Sequence, residues 1–216
     1  MKRSLHIAAV VAALALITVA PGLAREFNPA LVGYGGKIGF SLTNVSNHPQ
    51  KTENHTGYLI GGLCNYPKTD LISFQIEIML SGKGFTVPDT TVYDTGNVLL
   101  GRLEATWLLQ YIEMPVLAKL SPIRTGKYRP YVIGGGYAAF LVHSKLRLKD
   151  NLLELDYDVN NTKGLDVGGI GGVGIDMMAG RGWVFFEIRY EQGLMSVIKD
   201  TDYKSHALSF QAGYWF

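Results

Sequence analysis

Hydrophobic and polar residues alternate with a period of two along most of this chain. The last ten residues, Ala207 to Phe216, show it most cleanly. Leu208, Phe210, Ala212, Tyr214 and Phe216 fall on one face, apolar and half aromatic, while Ala207, Ser209, Gln211, Gly213 and Trp215 fall on the other. Such alternation marks a strand with two different environments on its two sides. A strand that runs to the last residue and ends in Trp-Phe suits one face in lipid and the other in a crowded lumen.

Seven further segments share this pattern or its glycine-rich relative. They are Gly33 to Thr43, about Gly57 to Cys64, Leu71 to Ser81, about Trp107 to Leu120, about Arg129 to Val142, about Leu165 to Met178, and Trp183 to Glu191. Gly57 to Cys64 is apolar throughout, so its facing stays ambiguous. No long segment of helical period competes with them. The connections add a second signal, because short ones alternate with long ones. Asn65 to Asp70, Ser121 to Tyr128 and Ala179 to Gly182 are short; the longest connection runs from His143 to Gly164. A transmembrane barrel has tight turns at one end and large loops at the other. The pattern therefore predicts an all-β fold, an eight-stranded antiparallel up-and-down transmembrane β-barrel.

The first residues predict export. Lys2 and Arg3 precede an apolar run from Ile7 to Ala20, and small residues at Gly22 and Ala24 fit a cleavage site after Ala24. The expected organisation is a signal peptide over 1–24 and a barrel domain over 25–216. Without Lys2 and Arg3 the 20 basic side chains fall to 18, against 18 acidic. A neutral chain lacking basic clusters argues against nucleic acid as a partner. No other stretch approaches the roughly 20 apolar residues of a membrane helix, so a membrane location requires strands. Cys64 is the single cysteine; it is expected to be buried or lipid-facing, as small hydrophobes are.

Charge changes the picture inside the strands. Lys37, Glu77, Glu113, Lys119, Glu187, Arg189 and Glu191 lie on their polar faces. On a lipid face each would cost up to a few kcal/mol, so they are expected to point inward. Eight strands enclose a space just wide enough for side chains to fill. Mixed charges packed there should pair, because an unpaired buried charge is strongly destabilising. The expectation is a structural ion network that fills the lumen, with a narrow path for solutes or ions as the alternative. Glu77 and Glu113 have no arguable cleft around them for acid–base catalysis.

The long connection carries Lys145, Arg147 and Lys149, then Asp150-Asn151, then Glu154, Asp156 and Asp158. A two-residue turn at Asp150-Asn151 would set Arg147 opposite Glu154 and Lys145 opposite Asp156. That predicts a charged hairpin projecting above the membrane, a candidate external binding element. A rim hydrolase is a weaker possibility. It would draw on His143, Ser144 and Asp158, with His48, His55 and His206 also beside expected outer loops. No His, Cys or Asp pair shows metal-ligand spacing on a strand face, and Gly134-Gly135-Gly136 opens no helix, so it is no phosphate loop. No catalytic residue, metal or cofactor is expected, and the chain is read as a non-enzyme.

Six motifs occur in order along the chain. They are Gly33-Tyr-Gly-Gly-Lys-Ile-Gly-Phe-Ser-Leu, Phe74-Gln-Ile-Glu-Ile-Met-Leu-Ser-Gly-Lys-Gly84, Tyr111-Ile-Glu-Met-Pro-Val-Leu-Ala-Lys119, Arg129-Pro-Tyr-Val-Ile-Gly-Gly-Gly-Tyr137, Asp166-Val-Gly-Gly-Ile-Gly-Gly-Val-Gly174 and Glu187-Ile-Arg-Tyr-Glu-Gln-Gly-Leu194. Together with the terminal aromatic they resemble the PorT-like outer-membrane β-barrel family. The resemblance implies an eight-stranded outer-membrane barrel and carries over no activity. The whole reading places the protein in a bacterial outer membrane with both termini periplasmic. Expected partners are the membrane lipid, the barrel-assembly machinery through the strand ending in Phe216, and an envelope or surface protein bound by external loops.

Overall fold

The computed structural model describes residues 32–47, 49–93, 99–123, 126–149, 154–158, 162–198 and 202–216. The expected signal peptide lies outside them. Nine strands follow in order: β1 (Gly33–Ser46), β2 (Glu53–Pro67), β3 (Ile72–Tyr93), β4 (Leu99–Leu120), β5 (Tyr128–Lys149), β6 (Glu154–Asp158), β7 (Leu165–Ala179), β8 (Gly182–Ser196) and β9 (Lys204–Trp215). All pairings are antiparallel. The order β4-β3-β2-β1-β9-β8-β7-β5, with β4 also paired to β5, closes a barrel of eight strands. The last strand is tied to the first: Tyr34 and Phe216 exchange backbone hydrogen bonds of 3.0 Å in both directions.

β6 is a ninth, short strand. It pairs with β5 residues 145–149, while β7 pairs with β5 residues 128–140. β4 holds the opposite edge of β5 along both stretches. β6 therefore takes the place of β7 along the upper part of β5.

Alternation fixes which face each residue takes. Ile38, Phe40, Ile60, Ile78, Val116, Val132, Ile188 and Leu208 point out of the barrel and stay exposed. An apolar wall of this kind is stable only against lipid. It gives way to polar rows above Leu42 and Leu208, where Asn44 stands beside His206 and Ser46 beside Lys204. β2 resolves its ambiguous facing: Tyr58, Ile60 and Cys64 point outward, Leu59, Leu63 and Asn65 inward. The Cys64 thiol is exposed on the apolar outer wall.

Two expectations about connections change. The segments read as ending at Ser81 and Val142, and as starting at Trp107, run on as strands. β3, β4 and β5 each reach 22 residues, about twice what a tilted strand needs to cross a membrane. The extra length is rich in β-branched and aromatic residues (Phe85, Thr86, Val87, Thr90, Thr91, Val92, Tyr93), which favour strand. The long connections are thus mostly sheet, and a β3–β4–β5–β6 sheet overshoots the apolar band. The register of the charged hairpin is also shifted by two residues. Arg147 stands opposite Asp156, Lys145 opposite Asp158 and Lys149 opposite Glu154. The expected register aligned two opposite-charge pairs; this one aligns three and sets Leu148 against Leu155. Asp150 and Asn151 lie outside the described residues.

Pro115 interrupts one ladder. The β3–β4 pairs resume with the same offset on either side, but none forms between residues 77–78 and 114–115. Proline has no N–H to donate there.

Candidate functional site: a filled lumen

All seven ionisable residues expected inside are buried in the lumen, and three more join them: Lys83, Asp166 and Asp176. They form three tiers. In the lowest, at the short-turn end, Lys119 Nζ donates to both carboxylate oxygens of Asp176, at 2.9 and 2.8 Å. The same ammonium lies 3.6 Å from the centre of the Tyr131 ring. Beneath it the guanidinium of Arg129 stacks 3.8 Å over Trp183, whose indole stacks on Trp215 at 6.1 Å. Trp215 Nε1 donates to Asp176 Oδ1 at 3.4 Å. Indoles and a guanidinium close this end.

The middle tier centres on Arg189. Its two Nη atoms donate to the two oxygens of Glu77 at 2.9 and 2.7 Å, and it pairs with Glu187 as well. Lys37 also pairs with Glu77, and Gln75 Nε2 donates to Glu77 Oε1 at 2.6 Å. Tyr131 donates its hydroxyl proton to Glu187 Oε1 at 2.7 Å. Paired, forked bonds of this sort are the arrangement in which buried charges are tolerated.

In the upper tier Lys83 Nζ stands 2.8 Å from Glu113 Oε2 and 2.9 Å from Glu191 Oε2. Tyr137 and Ser205 donate to Asp166 Oδ2 at 2.9 and 3.0 Å. Above this tier the charged lining stops. Val45, Phe85, Val87, Leu109, Val197 and Ile198 form an apolar cap over it, with Trp107 stacked on Phe85 at 5.9 Å. Val197 accepts from Lys163 N and donates to Tyr203 O, both at 2.8 Å, which ties the end of β8 to the segments before β7 and β9. A hollow under the cap, lined by Thr43, Lys83, Phe85 and Tyr111 among others, measures about 10 Å³. That is room for about one water.

Glycine on β7 makes the packing possible. A Cβ on Gly172 would come 3.0 Å from Arg189 Cγ, and one on Gly174 would come 2.4 Å from Cζ of Tyr131. The large inward side chains lie across a wall with no side chains of its own at those points.

Lys83, Asp166 and Asp176 were readable in principle. Lys83 lies two residues beyond Ser81 on the same face of β3, and both aspartates oppose the apolar row of β7. The first was hidden by ending the strand at Ser81, the others by the glycine that dilutes β7's alternation.

The other sequence candidates separate. His143 is exposed and Ser144 buried, on opposite faces of β5. Ser144 Oγ instead accepts from Thr162 Oγ1 at 3.2 Å. A Ser144–His143–Asp158 triad is therefore not assembled: neighbours on a strand cannot aim at one substrate. His48 lies outside the described residues. His55 and His206 stand above the apolar band. Burial lowers the pKa of both below the usual 6.5, and at His55 the charge of Arg147 adds to it. Arg147 and Lys145 are half-buried and Lys149 exposed on the outward face of β5. Opposite them in register stand Asp156, Asp158 and Glu154. Among the described residues no group of three or more His, Cys, Asp or Glu side chains could hold a metal ion.

The family model described as outer membrane protein beta-barrel domain matches residues 25–199. No curated protein matches the chain. Similar solved structures include Ail, the attachment invasion locus protein of Yersinia pestis, in complex with the heparin analogue sucrose octasulfate. It is 12% identical, with 86% of this chain and 99% of that one covered and a TM-score of 0.43. OprG of Pseudomonas aeruginosa is 13% identical over 85% of this chain and 95% of its own, with a TM-score of 0.42. Neisserial surface protein A is 8% identical over 84% and 95%, with a TM-score of 0.42.

Proposed function

The chain belongs to the outer membrane protein beta-barrel domain family, and from that premise we propose that it is an outer-membrane barrel with a structural, non-conducting interior that acts through its projecting β3–β4–β5–β6 sheet. The observation that carries this is the mismatch between strand length and membrane. Three strands of 22 residues leave about half their length outside the lipid. A protein that needed only an anchor would not require that sheet.

In this reading the two-residue turn at Gly180-Arg181 and both barrel termini face the periplasm, and the charged hairpin faces outward. The PorT-like resemblance is compatible with it and adds no activity. Phe216, exposed on the outer wall at the closing seam, suits recognition by the assembly machinery. The partner sought is an envelope or surface protein that meets Lys145, Arg147, Lys149 and the acidic strand opposite.

A photo-crosslinking residue at position 149, in intact cells, tests this. An adduct with one envelope or surface protein, abolished by reversing Lys145 and Arg147 to Glu, supports it. Crosslinks to lipid alone would overturn it. The competing pore reading is tested by conductance in planar bilayers; steady current through the purified barrel would favour it, whereas the stacked floor and apolar cap support none.

A further inference from the structure

At the height of residues 145–149 the wall is no longer closed. The β5–β7 ladder stops at Phe140. Above it β6 is the last strand in the sheet order, bonded to β5 alone. One alternate set of its backbone N–H and C=O groups faces β5. The other set faces a side where the described residues supply no strand. Such a row is a template for another chain.

Charge alternates across this part of the sheet. Glu104 of β4 stands opposite Lys149 of β5, and Lys149 opposite Glu154 of β6. In the next two rows Arg147 stands opposite Asp156 and Lys145 opposite Asp158. The alternation therefore ends on three acids, placed on one face of the open edge. Between them, on the other face, come Leu155 and Tyr157, opposite Leu148 and Leu146. Tyr157 is 50% exposed.

This edge selects its occupant. A second copy of the chain does not fit, because two antiparallel β6 strands that keep their faces would set acid opposite acid in every row, and like charges directly opposite are destabilising. A strand with cations at alternate positions is favoured at each row, and apolar residues between them continue the face of Leu155 and Tyr157. We propose that β6 is a receiving edge: an extended segment of a partner protein, basic at alternate positions and apolar between, pairs with Glu154–Asp158 and continues the sheet. This rests on the reading of the projecting sheet as a contact for an envelope or surface protein, and it specifies the contact.

A short synthetic peptide alternating lysine with valine, offered to the full barrel in phosphatidylcholine nanodiscs, tests the proposal. Saturable binding is expected, read by fluorescence anisotropy of the labelled peptide. In an added strand only alternate backbone N–H groups reach the edge. Methylating one alternate set of peptide nitrogens should weaken binding by more than about tenfold, and methylating the other set should leave it nearly unchanged. Exchanging lysine for glutamate in the peptide should weaken binding by about tenfold, and Asp156→Lys with Asp158→Lys in the barrel should reverse that preference. Equal losses from both methylated peptides, equal binding of the lysine and glutamate peptides, or no saturable binding would overturn the proposal. An envelope protein crosslinked at position 149 that the lysine peptide fails to displace would overturn strand addition while leaving the sheet as the contact. Register-selective peptide binding without any such adduct would uphold the edge and count against the wider reading.

Discussion

Arg189 grips Glu77 with both arms of its guanidinium, at 2.9 and 2.7 Å, across 112 residues of sequence. The bond joins β8 to β3 through the middle of the lumen. No hydrogen-bond ladder links those strands, so it braces the barrel across its diameter. Removing one partner leaves the other charged and buried. Arg189→Ala should cost about 3–5 kcal/mol, read from urea unfolding in vesicles. Glu77→Ala should cost no less, because it strands Lys37 as well. A loss within experimental scatter would show that the tier is not structural.

The glycine row of β7 predicts a steric failure. In Gly174→Val the new side chain meets the Tyr131 ring. That ring also carries Lys119 on its face and Glu187 at its hydroxyl, so it has nowhere to go. Overpacking of this kind costs about 1–3 kcal/mol. Gly171→Val, where a Cβ meets nothing within 4 Å, should be close to neutral in the same unfolding measurement.

These two cases show what the sequence made legible. Inward Lys37, Glu77 and Arg189 follow from alternation alone, because a charged residue between apolar neighbours has one tolerable face. Which charge meets which does not follow, since partners such as Lys37 and Glu77 lie on strands whose stagger the pattern does not set. Strand ends were equally hidden. Beyond Ser81 glycines at 82 and 84 break the apolar row, and only the β-branched and aromatic residues that follow, from Phe85 to Tyr93, favour continuing the strand. The hairpin shows the remaining ambiguity: a shift of two residues keeps every side chain on its face, so alternation cannot choose between the registers.

That register yields a test of its own. With Arg147 opposite Asp156, a double-mutant cycle to Ala at those positions should give a coupling of about 0.2–1 kcal/mol. The cycle between Arg147 and Glu154, the pair expected for a two-residue turn, should give a smaller one. Urea unfolding of the full barrel in vesicles is the readout. A larger coupling to Glu154 would restore the tighter turn.

His206 links the outer rim to pH. It stands one row above Leu208, beside Asn44, with a ring nitrogen 3.2 Å from Ser46 Oγ. Burial lowers its pKa in the folded barrel. The unfolded chain therefore binds the proton more readily, starting from about 6.5. The sign follows: stability is full above about pH 6.5 and is lost as pH falls through the lowered folded value, below which it levels off. His55 acts in the same direction, and there the nearby Arg147 disfavours the imidazolium further. Each ring is partly solvated, so each effect is small. Replacing both, His55→Asn with His206→Asn, should leave the midpoint unchanged at neutral pH and raise it relative to wild type under mildly acidic conditions. Urea unfolding at the two pH values decides it. A midpoint lowered equally by acid in both proteins would assign the acid sensitivity to the buried carboxylates instead.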